Sequence, residues 1–227
     1  MAGPAALPGA LAIDLGGERV ICLAGRALWW PAARTLFVAD VHLGKAASFR
    51  AAGVPLPAGH SAHDLARLQA LVTANAATQL IILGDLVHTA TSYTPSLTSA
   101  FRAFRATCPQ LSVTLVRGNH DRHAGAPPAV WDIDVVSDGH ELGPFNCCHE
   151  PTPGTASDRA QLAGHLHPAI RLQTTREGVT LPCFWLHAAG MVLPSFGSFT
   201  GSATVQLARG ESAIAIAGQT LHHLRKR

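Results

Sequence analysis

Gln79-Leu80-Ile81-Ile82-Leu83-Gly84-Asp85 is the stretch that decides the fold. A short apolar run stopped by a glycine and then a carboxylate has the pattern of a strand buried on both faces, with a polar group delivered at its tip. The same pattern recurs on either side. Thr35–Ala39 runs into Asp40-Val41-His42, and Ser112–Val116 runs into Arg117-Gly118-Asn119-His120-Asp121. Later, Leu162-Ala163 leads to Gly164-His165-Leu166-His167. In order, the blocks are D-x-H, G-D, G-N-H-D and G-H-x-H.

Between these blocks the periodicity changes. Leu65, Leu68, Leu71 and Val72 have helical spacing and predict a helix over Asp64–Ala76; Pro95–Cys108 is a second. Ala12–Leu15 and Glu18–Leu23 flank Gly16-Gly17, a hairpin signal, and Ala27–Trp30 follows as a strand. After residue 125 the apolar runs are short and β-like: Val130–Val136, Phe145–Cys148, Leu162-Ala163, Phe184–Leu186, Ala203–Leu207 and Ala213–Ala217. An α/β first half thus meets a mostly β second half. This predicts an α/β protein with two β-sheets packed face to face and helices outside. Pro151–Ser157 and Pro194–Gly201 read as loops. With 227 residues, no internal repeat and no long linker, residues 1–227 are expected to form a single domain.

Composition narrows the function classes. Hydrophobic residues make up 48% and charged residues 14%, which provides for a large core and argues against a disordered chain. The net charge of +3 is too small to diagnose nucleic-acid binding, and the terminal Leu224-Arg225-Lys226-Arg227 reads as a solvated basic end. Five cysteines, odd in number and without paired CxxC spacing, read as reduced thiols in a cytoplasmic protein. Met1–Ala12 is broken by Pro4, Pro8 and Gly9 and lacks a basic start, unlike a signal peptide. No apolar stretch approaches the roughly 20 residues of a membrane span, so no membrane association is expected.

Singly, each block is weak, since an aspartate at a turn or a satisfied core histidine explains it. Four blocks in order, most of them following a buried run, are another matter, because α/β folds gather groups at the carboxyl ends of their strands. The set reads as a two-metal hydrolytic site for phosphate esters. A carboxylate such as Asp85 can hold two cations about 3.5–4 Å apart. Asn119 adds an amide oxygen, and the imidazoles complete a mixed N/O set that suits Mn²⁺, Fe²⁺ or Zn²⁺ better than Ca²⁺. No G-x-S-x-G elbow or P-loop lysine motif suggests another chemistry.

These blocks resemble the calcineurin-like metallophosphoesterase superfamily. Phe37–Lys45, Ala163–Ile170, Leu181–Leu186 and Leu193–Gly201 are similar to the small bacterial DNA-ligase-associated metallophosphoesterases. The resemblance implies a four-layer αββα sandwich of two mixed sheets flanked by helices. It implies two divalent ions, most simply Mn²⁺: one held by Asp40, His42, Asp85 and His167, the other by Asp85, Asn119, His149 and His165. His149 has little local signature, and His140 is its rival. The resemblance further implies that His120 is a non-ligand histidine paired with Asp121, a catalytic pair that could stabilise phosphoryl oxygens or protonate a leaving alkoxide. The resemblance also implies a nucleic-acid substrate, DNA in the first instance, and association with ligase, helicase or exonuclease machinery of DNA repair.

Lys45, Arg50 and His88 could line the substrate cleft, as could Arg122 and His123, each with a surface or loop alternative. Phe196 and Phe199 could form a base-stacking wall or pack within their loop; Trp29-Trp30 reads as core. Three functions remain open at this point: an endonuclease-like phosphodiesterase, a phosphodiesterase or pyrophosphatase for a small nucleotide-like molecule, and a scaffold that has lost activity. The complete donor set disfavours the last.

Overall fold

In the computed structural model, residues 9–57, 59–152, 158–173 and 177–226 are described. The first sheet has seven strands in chain order: β1 (Ala10–Leu15), β2 (Glu18–Leu23), β3 (Ala27–Trp30), β4 (Thr35–Val38), β5 (Gln79–Leu83), β6 (Ser112–Val116) and β7 (Asp134–Val136). Strands β1 to β4 pair antiparallel, whereas β4 to β7 are parallel. The crossovers between the parallel strands carry helices α1 (Lys45–Ala51), α2 (His60–Ala74), α3 (Pro95–Thr107) and α4 (Asn119–Ala124).

Strand β5 shows why the sheet has two covered faces. Leu80 and Ile82 join the cluster that contains Leu65, Leu68 and Val72 of α2 and Leu97, Phe101 and Phe104 of α3. Ile81 and Leu83 join a second cluster with Phe145, Leu162, Phe184, Met191 and Ile214. Successive side chains of a strand point to opposite faces, so one continuous apolar run feeds both cores. Each large side chain so buried contributes about 1.5–3 kcal/mol. Helix α3 starts cleanly, with Pro95 in its first turn and the Thr94 hydroxyl accepting from the Leu97 N–H at 3.1 Å.

The second sheet is mixed. Its main path runs β14 (Ala203–Thr204), β11 (Pro168–Gln173), β12 (Gly178–His187), β13 (Gly190–Val192), β10 (Ala160–Ala163), β9 (Phe145–Cys147) and β8 (His140–Leu142). Strands β15 (Ser212–Ala217) and β16 (Thr220–Arg225) extend it from β12. Two mixed sheets packed face to face with helices are therefore present, and α2 and α3 cover the outer face of the first.

Several boundaries differ from the sequence reading. Val130–Val136 divides into a short 3₁₀ turn at Ala129–Trp131 and the brief strand β7. Strand β12 is ten residues long, well beyond Phe184–Leu186. The basic end is not a free tail: Leu224 and Arg225 pair with Ala213 and Ser212 as the last rungs of β15–β16. Residues 153–157 of the expected loop and residues 1–8 of the N-terminal reading lie outside the described residues. All five cysteines are buried and free, and no described helix is long and apolar enough to cross a membrane.

Candidate metal centre

The site forms where the tips of β4, β5 and β6 meet loops of the second sheet. Parallel pairing continues past the strand ends as a string of backbone bonds: Asp40 N–H to Gly84 O at 3.2 Å, His42 N–H to Asp85 O at 2.9 Å and Leu43 N–H to Leu86 O at 2.8 Å. This pins the D-x-H and G-D turns side by side. Asp40, His42, Asp85, His165 and His167 all have positive φ, between 47° and 68°. A non-glycine residue there costs about 1–3 kcal/mol and persists only where its surroundings over-determine it. Asp40 and His42 thus project from a strained turn and not from a regular strand. Glycine allows the close approach at two points. A Cβ on Gly84 would collide with the His149 ring, and one on Gly164 would lie 2.8 Å from both Ala39 Cβ and Asp40 Oδ2.

Asp85 lies between two groups of donors. Its Oδ2 is 3.7 Å from His42 Nε2, and its Oδ1 is 3.5 Å from His149 Nε2. On the first side, His42 Nε2 and His167 Nε2 are 3.4 Å apart, and His167 Nε2 is 3.5 Å from Asp40 Oδ1. On the second, His149 Nε2 is 2.8 Å from Asn119 Oδ1 and 3.1 Å from His165 Nδ1. Every expected ligand is therefore drawn into one cluster. His149 is fully buried within it, while His140 sits on strand β8, paired with Cys147.

Backbone carbonyls settle two ring tautomers, because a carbonyl only accepts. His149 Nδ1–H donates to Leu83 O at 3.1 Å, and His167 Nδ1–H donates to Gly201 O at 3.1 Å. Their Nε2 lone pairs then face inward, toward Asn119 Oδ1 on one side and toward His42 and Asp40 on the other. The His149 lone pair meets the Asn119 amide oxygen and the His167 lone pair the Asp40 carboxylate, and acceptors at these distances repel unless a cation or proton lies between them. The donor set fits divalent cations on this ground, and two of its three-residue subsets, Asp40–His42–His167 and Asp40–Asp85–His149, lie within ligating reach of one another.

Electrostatics agree. Burial raises the Asp85 carboxyl pKa, an effect opposed by His149 and the His120 N–H, so its anion lacks full compensation. Burial, followed by the nearby Lys45 ammonium, pushes His42 down to about 2, which keeps it neutral and able to ligate. At His167 burial lowers the pKa, but the hydrogen bond and charge of Asp40 outweigh it and the net direction is up. The carboxylate that favours a proton there would favour a metal ion equally.

The outer contacts were not foreseen from sequence. Asp138 accepts the His149 N–H at 2.6 Å. The Leu193–Gly201 loop is laced to the first sheet, with Phe196 N–H donating to Ala39 O at 2.7 Å and Gly197 N–H to Asp40 O at 3.1 Å. Buried Asp64 holds the same loop by accepting from Ser198 N–H and Oγ–H at 3.0 and 3.1 Å. Such supports orient ligands as much as the ligands themselves do.

One expectation about the second tier needs correction, and one open alternative is decided. Asp121 does not pair with His120. Its carboxylate accepts Gly118 N–H at 3.0 Å and Val87 N–H at 3.3 Å, and burial raises its pKa. His120 instead donates from Nδ1 to His88 O at 2.8 Å. Neighbours on a helix point about 100° apart, so adjacency in sequence keeps these two side chains from meeting. Phe196 is no stacking wall: it is fully buried in the core with the Arg67 guanidinium 4.3 Å over its ring.

The remaining candidates divide by position. Lys45, in the first turn of α1, is close enough to Asp85 and Asp40 to feel both charges, although burial lowers its pKa. The His88 ring stacks on His120 at 4.9 Å. Arg50 donates to Pro57 O at 3.0 Å, beside a pocket between α1 and α2. His123 donates back to Asn119 O at 2.6 Å, and Arg122 is exposed on α4.

Comparison with known proteins is consistent with this geometry. The family model described as calcineurin-like phosphoesterase matches residues 33–168. The crystal structure of Pseudomonas putida nuclease MPE is 39% identical, with a TM-score of 0.81 over 91% of this chain and 96% of that one. Yfce, a phosphoesterase from E. coli, is 13% identical with a TM-score of 0.43 over 84% of this chain and 97% of that one. A search of curated proteins finds no match. The family match spans more than half the sequence and includes all seven clustered donors: the chain belongs to the calcineurin-like phosphoesterase family, hydrolases acting on phosphoester bonds.

Proposed function

We propose that this protein is a metal-dependent nuclease that hydrolyses phosphodiester bonds of nucleic acid, DNA in the first instance, with two divalent cations at the clustered donors. Asp40, His42, Asp85 and His167 would hold one, and Asp85, Asn119, His149 and His165 the other; Mn²⁺ suits this N/O set, with Fe²⁺ or Zn²⁺ as alternatives. The observation that carries the reading is Asp85, whose two oxygens face different donor groups. When bound, the cations supply Lewis-acid stabilisation of the phosphoryl oxygens and acidify the attacking water.

The chain's own residues do the rest. Leu83 and Gly201 carbonyls lock His149 and His167 in the tautomer that turns Nε2 inward. The His88 carbonyl commits His120 Nδ1 to donation, so the proton His120 exchanges is carried on Nε2. This supports the reading of His120 as the group that would steady a nonbridging oxygen or protonate the departing alkoxide. Lys45 adds a cation at the mouth of an otherwise acidic site.

The nucleic-acid substrate is supported by the similarity to the Pseudomonas putida nuclease over nine-tenths of the chain. A role in DNA repair beside ligase, helicase or exonuclease machinery, in the cytoplasm, completes the proposal. The test compares wild type with Asp85→Ala on a chromogenic bis-ester, a single strand and a duplex, each with and without Mn²⁺, alongside metal analysis. Wild type should cleave the bis-ester and at least one nucleic acid with metal, and Asp85→Ala should lose both metal and turnover. Cleavage of the bis-ester with none of any nucleic acid would overturn the substrate assignment. Full metal content in Asp85→Ala would overturn the bridging role.

A further inference from the structure

From His120 outward, aromatic rings follow one another to the surface. His88 stacks on His120 with ring centres 4.9 Å apart and planes within 28°. Phe49 of α1 is next, 6.3 Å from His88, and Phe199 of the Leu193–Gly201 loop meets Phe49 edge-on at 5.7 Å. His60, at the start of α2, closes the row 5.4 Å from Phe199. These five residues come from five separate segments, so the row is a tertiary feature and not a helical stripe.

Phe49 is 40% exposed, one of the few large apolar side chains left in water. It is not there for want of a core position, because α1 already anchors itself through buried Ala46. The same helix carries Lys45 and Arg50, cations that match a phosphodiester backbone. Phe199 is held in place from below: the loop's Ser198 is gripped by Asp64, and His60 Nδ1 lies 3.4 Å from the Ser198 hydroxyl. Rigid aromatic faces beside cations are what unpaired nucleotides bind, since every base has a π face to stack and a phosphate to neutralise. A duplex hides those faces.

Resting on the nucleic-acid reading above, we propose that Phe49 and Phe199 form a stacking platform that seats an unpaired nucleobase flanking the scissile phosphate. These two rings are then specificity-determining residues. They lie outside the donor cluster, and they favour strands whose bases are free.

The test uses steady-state cleavage, with Mn²⁺, of an oligothymidylate and of a strand of equal length with abasic residues flanking the cleavage site. Wild type should show the lower KM on the base-bearing strand. Phe49→Ala and Phe199→Ala should raise that KM about tenfold each, the scale of one lost base stack. KM on the abasic strand should change less than twofold. Phe49→Trp should restore binding, whereas Phe49→Leu, which keeps apolar bulk without a π face, should not. Thermal melting and metal content of each variant show that the fold and donor cluster survive. Equal KM on both strands in wild type, or equal effects of the substitutions on both, overturns the platform while leaving a nuclease. Failure of wild type to cleave any strand, with the bis-ester still hydrolysed, overturns the nuclease reading itself.

Discussion

The Nδ1–H of His120 donates to the backbone carbonyl of His88 at 2.8 Å, across the 32 residues that separate the G-D block from the G-N-H-D block. The bond commits Nδ1 to donation without a carboxylate, so the orientation of the ring is held from the backbone.

His120→Asn should keep the metal and lose the chemistry. The ligand assignment does not need this ring, so metal content by mass spectrometry should match wild type. Turnover of a bis-ester should fall by about 10²–10⁴-fold, the usual worth of a general acid or oxyanion donor. Parallel loss of metal would mean that His120 is a ligand.

Asp121→Ala should act on stability before catalysis. Its carboxylate accepts the Gly118 and Val87 N–H groups, and removal of such a cap costs about 1–2 kcal/mol. Chemical denaturation should register that loss, while the ¹⁵N shifts of His120 should keep the pattern of an Nδ1–H tautomer. A changed tautomer would mean that Asp121 does act on the ring.

Gly84→Ala should unseat one half of the centre. The residue has φ +79°, and an added Cβ would run into the His149 ring. Backbone strain of about 1–2 kcal/mol adds to the displacement of His149. Metal stoichiometry should drop in a folded protein. Full occupancy with an unshifted melting temperature would contradict the packing described.

The thiols should be silent near neutrality. Burial pushes Cys147, Cys148 and Cys183 each up to about 12, and Cys22 also upward. A thiol whose folded pKa is raised favours the native state at any pH below its unfolded value of about 8.5. That contribution is lost as pH climbs from there toward 12, because the unfolded chain releases its protons first. Native protein should therefore react slowly with a disulfide reagent at pH 8, and its denaturation midpoint should fall progressively above pH 9. Rapid labelling at pH 8 without denaturant would refute the burial argument.

How far the sequence could be read depended on whether local chemistry carried the signal. Strands β5 and β6 were legible because Leu, Ile and Val runs stop at or just before a glycine, and the candidate donors because they follow those runs. Helix α1, seven residues rich in alanine, has no periodicity of its own and exists through its tertiary setting. Strand β16 was hidden by His222, His223 and Arg225, polar residues that an edge hairpin tolerates. The Asp121 role was misread because sequence adjacency does not give side-chain direction. Phe49 was passed over because an exposed aromatic on a short helix has no signature until Phe199 and His88 are seen beside it.

The loop that ends at Gly201 is fastened to Asp40 by its Gly197 N–H and orients His167 through its last carbonyl. His167 therefore takes its bearing from a carbonyl 34 residues further along the chain. A backbone shift at Gly197 or Gly201 would be felt at Asp40 and His167 without altering either side chain.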